Sequence, residues 1–243
     1  MTSGAASLEV GSALIPEAGA TMPRTSRAGM DEAVAAVRRQ KDAWARLRVG
    51  ERIPILEELL RSTEAAAPGW VEAALAAKRI PPGTQAEGEE WLAGPMVVLR
   101  NLRLLAATLR DVARDGRPRF PGAPRTRAGG EVVVPVFPAT LYDRILFSGI
   151  RAEVWMKPEV SLERLDEHVA VAYRGGAANG GVALVLGAGN VSSIGPMDAL
   201  YKLYAENRVV VLKMNPVNEY LGPIFADALA PLVRRDFLRI VYG

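Results

Sequence analysis

Residues 181–243 constrain the fold most strongly. Gly181 to Leu186 is a continuous apolar run of Val182, Ala183, Leu184, Val185 and Leu186, Val209–Leu212 is another, and Leu238–Tyr242 reads as a third strand, interrupted by Arg239. None of the three alternates with polar residues. Between them lie Pro196–Tyr204, with Met197, Leu200, Leu203 and Tyr204 apolar, and Ile224–Val233, both patterned as helices. Strands that are apolar on both faces need cover on both faces, which predicts a parallel sheet with helices on each side. Right-handed crossovers would make this β-α-β-α-β unit a Rossmann-like, nucleotide-binding half. The chain stops at Gly243, directly after the third run, with no helix to follow. An apolar edge of that kind is normally covered, so the expected fold is an incomplete α/β domain.

The preceding sequence predicts helices over residues 30–116. Met30–Arg48 places Val34, Val37, Trp44 and Leu47 on one face, with Asp31 and Glu32 suited to its N-terminus. A second helix is expected from Pro54, with Ile55, Leu56, Leu59 and Leu60 on a stripe, ending at Pro68-Gly69. Trp70–Lys78 forms a third, stopped by Pro81-Pro82-Gly83, and Met96–Val112 a longer fourth with Met96, Leu99, Leu102, Leu105 and Leu109 in register. Residues 117–160 read as a loop and strands. Arg117–Gly130 is rich in Pro, Gly and Arg, and its Arg119, Arg125 and Arg127 would either meet phosphate or sit in a solvated linker. Glu131–Phe137 and Ala152–Met156 read as strands of an antiparallel appendage, with Leu141–Ile150 undecided between them.

Composition narrows the function. With 30 basic against 27 acidic residues, the formal charge is only +3, too small and too dispersed to argue for nucleic acid. Hydrophobic residues make up 49% and charged residues 23%, as in a globular chain. No apolar run approaches membrane-spanning length. Residues 1–29 lack a basic start and a long apolar core, so they read as a flexible tail and the cytoplasm as the default location. The chain has no cysteine, which excludes disulfides, thiolate metal sites and a cysteine nucleophile of its own. His168, alone in Asp166-Glu167-His168, reads as a surface residue, and no Ser-His-Asp set, P-loop or metal cluster is evident.

Two features of the last third can carry chemistry. Gly187-Ala188-Gly189-Asn190-Val191-Ser192 follows a strand and precedes a helix. Glycines there let a ligand approach the backbone. The turn resembles the start of a dinucleotide fingerprint without its third glycine, and a tight turn alone would need the same glycines. Lys213 ends the next strand, at the edge where open parallel sheets bind ligands. It can hold a ribose hydroxyl or a phosphate, or simply reach solvent.

Taken together, VALVLGAGNVSSIGPMDALYKLYAENRVVVLKMNPVNEYLGP resembles the cofactor-binding half of the aldehyde dehydrogenase family. The turn ending in Asn190, the segment Ala205-Glu206-Asn207 and the strand Val209–Lys213 occupy the family's places, and upstream the tryptophan and Arg52-x-x-Ile55-Leu56 look similar. The resemblance spans residue 30 to the end and is most specific over 181–223. It implies an oxidoreductase using NAD or NADP on an aldehyde or acyl substrate. Asn190 would be an oxyanion donor, worth about 3 kcal/mol of barrier, and Lys213 would hold the adenosine ribose or a 2′-phosphate, beside Gly187 and Gly189. The family's ribose-binding glutamate falls on Pro216, and Glu219 is the candidate to replace it. Ala188-Gly189 and Val191-Ser192-Ser193 also depart from the family's residues around the asparagine, which leaves an acyl-group reductase open. The family's nucleophilic cysteine, general-base glutamate and second glycine loop lie further along the fold. A non-catalytic nucleotide-binding or assembly module is the alternative from another class, and a homo-oligomer is open for the full-length protein.

Overall fold

The computed structural model describes residues 22–174 and 180–243. The first 21 residues of the expected tail therefore lie outside the described part. The remainder of that tail is corrected: helix α1 (Arg27–Arg46) begins three residues early because Ser26 caps it, its Oγ accepting from Gly29 N at 3.1 Å. Just ahead, Thr25 N donates to Tyr242 O, and Thr25 Oγ1 accepts from Tyr242 N. Asp31 and Glu32 fall beyond the first turn. The buried face of α1 uses Ala33, Ala36, Val37, Trp44 and Ala45, while Val34 is exposed.

Helix α2 (Val49–Lys78) overturns an expected start and an expected break. It runs through Pro54 and through Pro68-Gly69 without interruption. An interior proline costs a hydrogen bond and a clash, about 3 kcal/mol. Residues on both sides of Pro68 are buried, from Leu56, Leu59 and Thr63 to Trp70, Val71 and Ala74. They pack on the later helices, and that shared burial outweighs the local penalty. A short helix α3 (Gln85–Trp91), absent from the sequence reading, leads into a kink over Leu92–Met96, where Gly94 leaves helical geometry at φ −101° and ψ −112°. Helix α4 (Val97–Asp115) then buries Val98, Leu102, Ala106, Leu109 and Val112 against α2 and ends at Gly116, whose φ of 72° suits glycine. Among the described residues Gln85–Asp115 is one helical run long and apolar enough to cross a membrane, with mean hydropathy 1.3 in its most apolar window. This corrects the expectation that no run approaches that length, although in the fold α4 is a core helix with arginines on its outer side.

The architecture is mixed α/β with two sheets. The antiparallel one joins β1 (Arg125–Thr126), β2 (Val132–Phe137) and β3 (Ala152–Trp155) in that order, with a register shift between Pro135 and Phe137. The undecided segment forms α5 (Leu141–Leu146), capped by Thr140 and by Asp143. Burial alone would raise the pKa of Asp143. The Arg100 guanidinium and the N–H groups of Ala139 and Thr140 prevail and hold its carboxyl below the usual range. The three loop arginines are occupied within the chain. Arg119 pairs with Asp111 and Asp115, Arg125 with Glu153, and Arg127 stacks on Trp155 at 3.8 Å.

The parallel sheet has the order β4-β5-β6: β4 (Gly181–Leu186), β5 (Arg208–Lys213) and β6 (Leu238–Val241). Helix α6 (Ile194–Tyr204) connects the first two strands, and α7 (Gly222–Ala228) and α8 (Ala230–Val233) replace the single helix expected over 224–233. Both α1 and α6 pack on β5, and Val209 through Leu212 are buried. Cover is less complete at β4, where Leu184 and Leu186 remain 64% and 69% exposed. Their expected burial fails because β4 is an edge strand with one open face.

Arg52 ties this core together. It is buried with no carboxylate partner among the described residues, lies over the Trp44 ring at 4.5 Å, and donates to Trp44 O, Leu47 O and Asn207 Oδ1. Asn207 sits at φ 58°, a conformation that asparagine tolerates better than most residues. Two segments of the family resemblance, 155 residues apart, thus meet through one side-chain hydrogen bond.

Candidate functional site

The parallel ladder brings the candidate residues to one end of the sheet. Leu186 is in register with Lys213, and beyond the strand Gly187 N donates to Lys213 O at 2.8 Å. The turn therefore starts directly on the end of β5. Both of its glycines sit where a side chain would be crowded. A Cβ on Gly187 would lie 3.1 Å from Lys213 O, and one on Gly189 would lie 3.0 Å from the Asn215 side-chain oxygen. A third glycine lies inside α6: a Cβ on Gly195 would sit 3.5 Å from Leu212 Cδ1 and 3.7 Å from Gly187 Cα. Both are ordinary van der Waals distances, so this position does not take the place of the missing fingerprint glycine.

The other side of the turn is held by the connector after β5, a 3-10 helix over Pro216–Leu221. Asn215 caps it, accepting from Val217 N at 3.0 Å. Asn218 is buried and donates its amide to Ala188 O at 2.9 Å and Gly189 O at 3.3 Å. Sequence reasoning missed Asn218, although the spacing Asn215-x-x-Asn218 around a helical turn was its one signal. The neighbouring Glu219 departs from expectation. It is buried and turned to the end of β6, where Oε1 accepts from Gly243 N at 2.7 Å. Successive residues of a 3-10 helix point about a third of a turn apart, so Asn218 serves the glycine turn and Glu219 serves the strand.

Asn190 is exposed, and its side chain has no hydrogen bond among the described residues. Lys213 is half-buried and has no ion pair among the described residues. Ser193, at the N-cap position of α6, is buried, makes no cap hydrogen bond and leaves its Oγ unpartnered. The next residue back is held from far away: Trp70 Nε1 donates to Ser192 Oγ at 3.0 Å across 122 residues. The kink between α3 and α4 closes on this pair. A Cβ on Gly94 would lie 3.3 Å from Trp70 Nε1 and 3.5 Å from Ser192 Oγ.

A concavity of about 730 Å³ lies elsewhere, lined by Arg117, Arg119, Phe120, Leu162 and Asp166 among others. Arg117 pairs there with Asp166, and Arg119 with Asp111 and Asp115, so both of its arginines are engaged within the chain, while the Glu163 carboxylate also lines it. The sheet edge carries Lys213, the exposed Asn190 and the glycine turn, the first two without a side-chain partner among the described residues, and is taken as the candidate site for an anionic ligand. Groups of three metal-ligating side chains are absent among the described residues. No protein-family model and no curated protein matches this chain.

Proposed function

We propose that this chain forms the cofactor-binding part of an NAD(P)-dependent oxidoreductase of aldehyde dehydrogenase type, built on a Rossmann-like half. The observation that carries the reading is the seating of the Gly187–Gly189 turn on Lys213 at the carboxyl ends of β4 and β5. Ligands of open parallel sheets bind at that edge. The residues fit a dinucleotide in part. Lys213 supplies a cation for a ribose hydroxyl or a phosphate, and the glycines let the turn sit close against Lys213 O and the Asn215 side chain. The carboxylate for the ribose is lacking, because Pro216 has none and Glu219 is engaged by Gly243. Recognition therefore rests more heavily on Lys213.

Asn190 acts on the substrate side. Its amide donates to the oxygen of an aldehyde or acyl group as that oxygen gains negative charge, an interaction stronger in the transition state than before it. A bound nicotinamide would accept or give the hydride. The attacking thiolate of this chemistry comes from outside these 243 residues, which contain no cysteine.

Isothermal titration of the chain with NAD and NADP, before and after Lys213→Ala, tests the reading. Loss of a charged hydrogen bond should weaken binding about tenfold or more. A larger loss for NADP places the lysine at the 2′-phosphate, and equal losses place it at ribose hydroxyls. Equal affinities for wild type and variant, or no binding by wild type, overturn the reading.

A further inference from the structure

Ser192 holds a hydroxyl whose direction is set by a partner that can only donate. The indole nitrogen of Trp70 carries a hydrogen and has no lone pair to offer. At 3.0 Å from Ser192 Oγ it must be the donor, so the serine oxygen accepts and its own proton is left for another acceptor. Among the described residues that proton finds none, because Ser192 Oγ takes part in no other hydrogen bond. The arrangement is rigidly backed. Trp70 is buried against Phe225 with ring centroids 4.6 Å apart, and Gly94 closes on the indole nitrogen and the hydroxyl together. Ser192 itself is half-buried, two residues beyond the exposed and unpartnered Asn190 in the same turn.

We infer that the Ser192 hydroxyl is a second hydrogen-bond donor to the substrate oxygen held at this turn, acting beside the Asn190 amide and aimed by Trp70. The ligand class is an oxygen that carries or develops negative charge, such as that of a carboxylate or of a carbonyl under attack. The inference rests on the reading that Asn190 faces substrate, and it adds a specificity-determining residue to that site. Trp70 is a positioning residue. It fixes the hydroxyl and does not touch the ligand.

Butyrate serves as the probe, its carboxylate standing in for the charged oxygen. Titration of the chain is followed through the indole N–H resonance of Trp70, which reports on Ser192 directly. Wild type should show a saturable shift of that resonance. Ser192→Ala should weaken butyrate about tenfold, Asn190→Ala by a similar factor, and Ser192→Thr should restore most of the loss by returning the hydroxyl. Trp70→Phe removes that reporter, so its titration is followed through the backbone amide resonance of Ser192; it keeps most of the packing and releases the hydroxyl, and should give a smaller loss. If Asn190→Ala weakens the probe and Ser192→Ala does not, the inference falls and the assignment of Asn190 stands. If neither variant changes binding, or wild type does not bind, the substrate side of the proposed site falls and Ser192 falls with it.

Discussion

Two runs of three valines end in different company. Val209–Val211 lies in the middle strand of the parallel sheet, inside a core that also contains Trp44, Leu56, Leu102, Leu203 and Phe225. Val132–Val134 lies in the middle strand of the antiparallel sheet and is buried as completely. Its hydrophobic cluster is small, with Val160 and Leu165 as the other buried members. Beside it the outer face of α5 carries Leu141, Tyr142, Ile145 and Leu146, each at least 65% exposed. Burial of a strand therefore says little about how much structure depends on it. The parallel sheet gathers helices from the whole chain, whereas the antiparallel sheet is covered by its own loops.

The sharpest way to break that comparison is to remove one large side chain from each cluster. Trp44 is fully buried, meets Tyr204 edge-on at 5.2 Å, and donates its indole N–H to Leu203 O. Trp44→Ala should cost about 3–5 kcal/mol. Val160→Ala removes two methyl-sized groups from the small cluster and should cost about 1–2 kcal/mol. Urea unfolding of the two variants measures both. Equal costs would mean that the two clusters are not unequal in the way described.

A second test uses the tyrosines of the larger core. Burial pushes up the pKa of Tyr173, Tyr204 and Tyr220, the last to about 12, with the Glu90 carboxylate adding to the effect on Tyr220. Burial and then Glu219 do the same for Tyr242. A raised value means that the folded state favours the neutral phenol. An unfolded tyrosine ionises near pH 10. The stability these groups contribute is complete below that pH and is lost as pH rises through the folded values, for Tyr220 between about 10 and 12. Unfolding free energy should therefore fall above pH 10, by at most about 1.4 kcal/mol per pH unit for each tyrosine, and Tyr204→Phe should flatten the slope. A curve that stays level to pH 12 contradicts this burial.

What could be read from sequence follows the same division. The strands of the parallel unit were legible because a run such as Val209–Leu212 has one reasonable fate, burial on both sides. The fate of Leu184 and Leu186 was not, because it depends on strand order, and order is decided by pairings between distant segments. Helix α2 was hidden for a related reason: Pro68-Gly69 is a strong local stop signal, and only contacts with later helices override it. At the candidate site, Gly187, Gly189 and Lys213 were legible as strand-end residues, and they meet. The direction of Glu219 and the grip of Asn218 on the turn depend on a single residue of phase in a 3-10 helix. The bond from Trp70 to Ser192 spans 122 residues and leaves no local trace in the sequence.

On the proposed function, a nucleotide binds at the carboxyl edge of the parallel sheet and not in the concavity around Arg117 and Leu162. Backbone amide shifts of the isotopically labelled chain, recorded while NAD is added, test it most directly. The account predicts saturable changes concentrated at residues 187–195 and 213–218, with residues 117–124 and 162–166 unmoved. Changes confined to those last two segments, around Arg117 and Leu162, would place the ligand in the concavity and contradict the assignment of Lys213 and the glycine turn.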